Sequence, residues 1–112
     1  MNLPKFHETF NPILSILNDG EIIHHRELLK RVIAEFYSTL PLELLEQKTK
    51  SGDILIENRI AWGKSYLKKG GYIHYPERGM VQITEKGKDA SKNKVDLKDL
   101  ENEHDFLTFY KE

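Results

Sequence analysis

The stretch Ser65–Thr84, "SYLKKGGYIHYPERGMVQIT", decides how this chain is read. A lysine-rich segment runs into two adjacent glycines, Gly70 and Gly71, and glycine is the residue that most readily takes the left-handed backbone that closes a helix. Two short β-favouring runs follow, "YIHY" and "MVQIT". They are joined by "PERG", a proline-containing turn in which Gly79 can absorb a positive φ. A basic helix feeding straight into a tight hairpin is either an ordinary connection or a unit that presents one surface to a ligand.

Working back from the glycines, the helix is expected to run from about Asp53 to Lys69, "DILIENRIAWGKSYLKK". Steps of about 100° place Leu55, Ile56, Ile60, Trp62, Gly63, Tyr66 and Leu67 on one broad arc. The opposite arc carries Asp53, Glu57, Asn58, Ala61, Lys64, Ser65, Lys68 and Lys69, so the polar side turns basic towards the C-terminal half. Arg59 falls inside the apolar arc, where a charged side chain must snorkel or find a partner. The rings of Trp62, Tyr66, Tyr72 and Tyr75 resemble a base-stacking platform. Packing between helix and hairpin is the commoner role and is expected above all for Trp62, least for Tyr75 beside the turn.

Further upstream, "PKFHETFNPILSILNDG" reads as a first helix ending at Gly20, with Phe6, Phe10, Ile13, Leu14 and Leu17 at helical spacing. Pro12 either kinks it or marks a shorter helix behind Asn11. "EIIH", Glu21–His24, suits one small strand, and "HRELLKRVIAEFY" a second helix with Leu28, Leu29, Val32, Ile33 and Phe36 inward. In "STLPLELLEQ" Ser38 or Thr39 can cap a short third helix, and "KTKSG", Lys48–Gly52, is a basic loop. Beyond the hairpin, Thr84 can cap a last short helix, "EKGKDA".

At 112 residues the chain fits one compact domain, taken as residues 1–90, with residues 91–112 as a linker and an acidic, helix-capable tail. With no cysteine there is no disulfide framework and no Cys-containing zinc site. No membrane span or signal-peptide pattern is visible, so a cytoplasmic location is expected. The net charge of -1 hides a strong asymmetry: residues 1–47 carry -3, residues 48–94 carry +6 and residues 95–112 carry -4. A basic face on an otherwise acidic molecule follows. Helices first, then a basic helix, then a two-stranded hairpin: this is the order of a winged helix-turn-helix, mainly α with a small β-hairpin wing.

The residues also carry a family resemblance. "NRIAWGKSYLKKGGYI" (Asn58–Ile73) followed by "RGMVQITEKGK" (Arg78–Lys88) resembles the N-terminal domain of Mrr-type restriction endonucleases. That family shows an Asn-Arg-x-x-Trp-Ala-like stretch, a Tyr/Leu-Lys-Lys-Ala-Gly-Leu helix end and an Arg-Gly-x-x-x-Ile-Thr wing strand. The opening "LPKFHETFNPILSILNDGE" and the pair Ser51–Gly52 are similar as well, so the likeness spans about Leu3 to Lys88. It implies a winged-helix DNA-binding domain, which in full-length enzymes precedes a nuclease domain that cuts DNA carrying modified bases. The metal-binding Asp and Glu/Gln-x-Lys pattern of that nuclease is not found in the 24 residues after Lys88. The expectation is a reader without a cutter: no catalysis of its own, no cofactor, and a C-terminal nuclease domain as partner in a full-length parent. Gly63 departs from the family, where Ala is expected, and would either loosen the helix or allow closer packing.

On this reading the partner is double-stranded DNA, methylated or otherwise modified. Cations are needed for phosphates and hydrogen-bonding side chains for base edges. Lys48, Lys50 and Ser51 can approach a phosphate at the start of the fourth helix. Asn58 is the best base reader, since a carboxamide can bind adenine at two points. Lys64, Ser65 and Lys68 extend that surface, Ala61 can meet a methyl group, and Arg78 at the wing tip suits a minor groove or a phosphate. Arg59 is counted among the candidates, with a structural role the stronger reading. Asp53 and Glu57 would repel phosphates from the same side. The competing reading is a winged-helix protein-interaction module, a homodimer formed through the acidic tail with its Phe106, Leu107, Phe109 and Tyr110. The pair His24–His25 does not make a metal site, since adjacent strand residues cannot face one ion, and Glu43–Glu46 marks no catalytic cleft.

Overall fold

The computed structural model describes residues 2–92; nearly all of the acidic tail therefore lies outside the described residues. The chain opens with a 3-10 turn, Phe6–Thr9, that leads into α1, Phe10–Leu17. The expected single long helix is thus two pieces. Pro12 sits in the first turn of α1, where its missing N–H has no helical partner to lose. Phe10, Ile13, Leu14 and Leu17 are fully buried, and the Gly20 amide closes the segment on the Leu17 carbonyl at 3.0 Å.

After β1, Ile23–His24, comes α2, His25–Val32, capped by His24, whose Nδ1 accepts from the Arg26 amide at 3.1 Å. Leu28 and Val32 face the core one helical turn apart. The helix then widens into a π turn, Ile33–Tyr37. Because a π turn takes an extra residue, the inward position passes from Phe36 to Tyr37. Phe36, expected inside, is 41% exposed. Tyr37 is half-buried instead, and its hydroxyl is pushed up to about 12, by burial first and by the Glu8 carboxylate second.

The short α3, Leu42–Leu45, starts behind Pro41 rather than behind Ser38 or Thr39, with no side-chain cap. A proline disfavours helical backbone at the residue before it, so a helix capped at Ser38 or Thr39 could not pass Leu40. The basic loop folds back on itself: Lys48 bridges to Ile54, and the Thr49 amide reaches the Asp53 carbonyl at 2.7 Å. This ties up the backbone of Asp53 and Ile54, and α4 runs from Leu55 to Lys69, two residues later than expected. At its C-terminus the Tyr72 amide bonds the Leu67 carbonyl at 2.9 Å and the Gly71 amide the Lys68 carbonyl at 3.1 Å, with Gly71 at φ 84°. This paired closure is the one the glycines predict.

Strands β2, Ile73–His74, and β3, Met80–Ile83, form the hairpin, pairing Ile73 with Ile83 and His74 with Gln82. β1 joins the other edge of β3, pairing Ile23 with Val81, so the antiparallel sheet has three strands in the order β1-β3-β2 rather than two. Finally α5, Glu85–Ser91, is capped by Thr84, whose Oγ1 accepts from the Gly87 amide at 3.1 Å. One core unites Phe10, Ile13, Leu14 and Leu17 of α1 with Leu28 and Val32, Ile56, Ile60 and Leu67 of α4, and Ile73, Val81 and Ile83 of the sheet. The fold is mainly helical with a small antiparallel sheet, a winged helix-turn-helix arrangement in which α4 leads directly into the wing.

Candidate nucleic-acid interface

The buried stripe of α4 is Ile56, Ile60, Gly63 and Leu67. At Gly63 a Cβ would overlap Thr9 Oγ1 and stand 2.9 Å from the Phe6 carbonyl oxygen, so the departure from alanine serves close packing on the 3-10 turn. The opposite side of α4 presents Asn58, Ala61, Trp62, Ser65, Lys68 and Lys69. Trp62 corrects the expectation of a core tryptophan, for it is 49% exposed. It stands roughly 130° from the centre of the buried stripe, and only the breadth of the apolar arc in the sequence had drawn it in.

Of the residues expected to meet DNA, Lys64, Ser65 and Lys68 come together on the flank of α4 nearer the wing, around the ring of Tyr75. The Nζ atoms of Lys64 and Lys68 lie 5.2 and 5.4 Å from the ring centroid, within cation–π range. Burial raises the pKa of the Tyr75 hydroxyl, and a hydrogen bond with Ser65 partly offsets this. Burial also holds Lys64 below the ordinary lysine range. The wing turn closes on the start of α2: the His25 amide donates to the Gly79 carbonyl at 2.9 Å, and the His24 and His25 rings stack with centroids 4.5 Å apart. His25 is pushed below the usual histidine range by burial first, then by the charges of Lys64, His24 and Arg26.

Three elements therefore converge on one cationic surface: the N-terminus of α2, the C-terminal half of α4 and the wing. Exposed Arg78 sits in the wing turn beside it. His24, His25 and Arg26 were absent from the residues that the sequence pointed to. A signal for them was present, since three cation-capable residues in a row at a helix N-terminus oppose the helix dipole and gain if an anion binds there.

The remaining candidates lie elsewhere. Lys48, Lys50 and Ser51 are exposed in the loop before α4. Behind them the Leu55 amide is already taken by the Gln47 carbonyl at 2.7 Å, which removes one of the helix-end donors expected there. Glu57 lines a groove of about 480 Å³ with His25, Arg26 and Lys30 between α2 and α4. Asn58 and Arg59 border a second groove on the far flank of α4, with Trp62, Tyr66, Phe6, His7 and Lys5. The Arg59 guanidinium donates to the Pro4 carbonyl at 2.9 Å and approaches the Leu3 carbonyl at 3.5 Å. Its partners are thus backbone oxygens of the N-terminal segment, the structural role the apolar position suggested.

Among the described residues no three His, Asp or Glu side chains are grouped to hold a metal ion, and no helix is long and apolar enough to cross a membrane. Neither a curated protein sequence nor a solved structure gives a significant match to the chain. A family model described as the Mrr N-terminal domain matches residues 6–93, taking in α1, the whole of α4 and the wing. By that match over most of its length, the chain belongs to the Mrr N-terminal domain family, which associates it with Mrr-type restriction proteins.

Proposed function

We propose that this domain reads double-stranded DNA, with modified DNA as its target class, and performs no catalysis itself. The observation that carries the reading is that Lys64 and Lys68 flank the Tyr75 ring while Lys64 also acts electrostatically on His25, beside His24 and Arg26. The start of α2, the C-terminal half of α4 and the wing thus share one surface rich in basic side chains. In the proposed complex the exposed side of α4 enters the major groove, with Asn58 and Ser65 towards base edges and Ala61 towards a methyl group. Lys64, Lys68, His25 and Arg26 take phosphates on one side, Lys48 and Lys50 with Ser51 on the other. Arg78 extends the interface through the wing. The restriction context of the family supports a reader working beside a separate nuclease domain in a longer protein.

The test is a salt series on matched duplexes, unmodified and carrying methylated adenine or cytosine. Neutralising Lys64 and Lys68 together (Lys64→Gln with Lys68→Gln) is expected to reduce the slope of log K against log salt by about 2, one for each phosphate left without its lysine. An unchanged slope would remove this surface from the reading. A second reading, a protein-interaction module, is favoured by Phe36 and Leu42, apolar side chains exposed at 41% and 68% away from the cationic surface. It gains if no duplex binds at low salt.

A further inference from the structure

On the flank of α4 opposite Lys64, Trp62 and Tyr66 wall a groove of about 450 Å³ whose other side is the N-terminal segment Lys5–Phe6–His7. Its volume is within the range of small-molecule sites. The rings brace one another edge-on: Phe6 against Tyr66 at 4.6 Å and 85°, Trp62 against Tyr66 at 6.1 Å and 68°. Edge contacts leave indole surface uncovered, in keeping with the 49% exposure of Trp62. Asn58 contributes a carboxamide that no other described residue engages. Arg59 spends part of its donor fork on the Leu3 and Pro4 carbonyls, and this holds the N-terminal wall in place.

We infer that this groove receives a single nucleobase unstacked from the DNA that lies on α4, gripped by Trp62 and hydrogen-bonded by Asn58. The inference rests on the DNA-reading proposal above and names the part of the ligand that this flank takes: the base that Asn58 reads is the one drawn out of the stack, and Ser65 is left towards the paired base edges. Charge selects the occupant. Lys5 and Arg59 border the groove and none of its lining residues is acidic, so an aromatic cage for a cationic group is excluded. A flat, neutral heterocycle attached to a phosphate meets both the rings and the cations. Position agrees with chemistry: Asn58 and Trp62 belong at once to the exposed side of α4 and to the groove. A base leaving the duplex would have only to cross the helix surface.

Trp62 is the chain's one tryptophan, so its fluorescence reports both the groove and the adjoining side of α4, and the comparison of the bulged adenine with the abasic bulge isolates the groove. The full chain is titrated with three duplexes of one sequence: fully paired, carrying a single bulged adenine, and carrying an abasic bulge at the same place. The bulged adenine is expected to quench Trp62 and to bind about tenfold tighter than the abasic bulge, within what base–aromatic stacking contributes. In Trp62→Ala, followed by anisotropy of labelled DNA, that ratio should fall to about one, and Trp62→Phe should restore part of it. Because Trp62 is exposed, a circular dichroism melt like that of the parent chain will show that the fold is kept. Equal binding of the adenine and abasic bulges, with the paired duplex still bound, would overturn the base groove and leave the DNA reading standing. Failure of all three duplexes to bind at low salt would overturn both.

Discussion

The backbone amide of His25, the first residue of α2, donates to the carbonyl oxygen of Gly79 in the wing turn at 2.9 Å. The wing is thereby fastened to the start of α2 and brought against the two stacked histidines, instead of standing away from the helices. The wing turn, with Arg78 exposed beside Glu77, and the helix start form one surface through this bond. The bond in turn requires the turn geometry that only Gly79 supplies easily, at φ 80°.

Replacing Gly79 tests that geometry. A left-handed backbone costs a non-glycine residue about 1–2 kcal/mol, and a Cβ here would stand 3.3 Å from His24 Nε2. Gly79→Ala is therefore expected to lower unfolding stability by about 1–2 kcal/mol in urea and to weaken DNA binding by displacing the wing. A variant as stable as its parent would mean that the turn has slack that its contacts do not suggest.

The lowered pKa of His25 predicts how binding responds to pH. Burial, Lys64, His24 and Arg26 all favour its neutral form in the unliganded protein. A depressed histidine contributes stability that is present above its unfolded value near 6.5 and is lost as pH falls through the folded value. An approaching phosphate acts in the opposite sense and raises the pKa, so binding takes up a proton. DNA affinity should rise between pH 7.5 and 5.5, roughly the histidine titration range, while the stability of the unliganded domain declines. His25→Gln should flatten the affinity profile, and calorimetry in two buffers should show its proton uptake reduced. A profile indifferent to this substitution would place His25 away from any phosphate.

What the residues disclose locally, and what they do not, divides along a physical line. Ile56, Ile60 and Leu67 are at a spacing that only a helix can bury together, and Gly70–Gly71 and Thr84 end and begin helices by chemistry within a few residues of themselves. Such features were legible. Trp62 was misplaced because size and hydrophobicity fit a core position and an exposed aromatic surface equally well; which one it takes depends on what packs against α4. Phe36 was misplaced because the π turn breaks the period on which inward positions are counted. Within the candidate interface, the lysines of α4 were visible as a basic stripe. Their meeting with His24 and His25 depends on β1 pairing with β3, a pairing across more than half the chain. The partners of Arg59 lie 55 and 56 residues away, and no local pattern points to them.

Gly63 sets helix propensity against packing. Alanine is the better helix former by about 1 kcal/mol, so an exposed position would gain from the change. Here the added methyl must displace Thr9 or the Phe6 carbonyl, and overpacking of this kind costs about 1–3 kcal/mol. Gly63→Ala is expected to be neutral to destabilising by up to about 2 kcal/mol in denaturant melts, and it should widen the groove beside Phe6. A gain in stability would show that the 3-10 turn yields freely.

Arg59 lets a structural role be separated from a contact with DNA. Its guanidinium reaches two carbonyls of the N-terminal segment through Nη1, one atom farther from the backbone than a lysine's Nζ, so a lysine at the same place keeps the charge but falls short of them. If Arg59 met a phosphate, Arg59→Lys would preserve most of the affinity and its salt dependence, since the charge remains. If it holds Leu3 and Pro4, the same change should cost about 1–2 kcal/mol of stability, the scale of a hydrogen bond to a charged donor. It should also release the wall formed by Lys5, Phe6 and His7. The expected result is the second: a lower urea midpoint, faster amide exchange in residues 5–9, and an unaltered salt slope for duplex binding. A salt slope reduced by about one in Arg59→Ala, with the midpoint unchanged, would instead put Arg59 on the DNA.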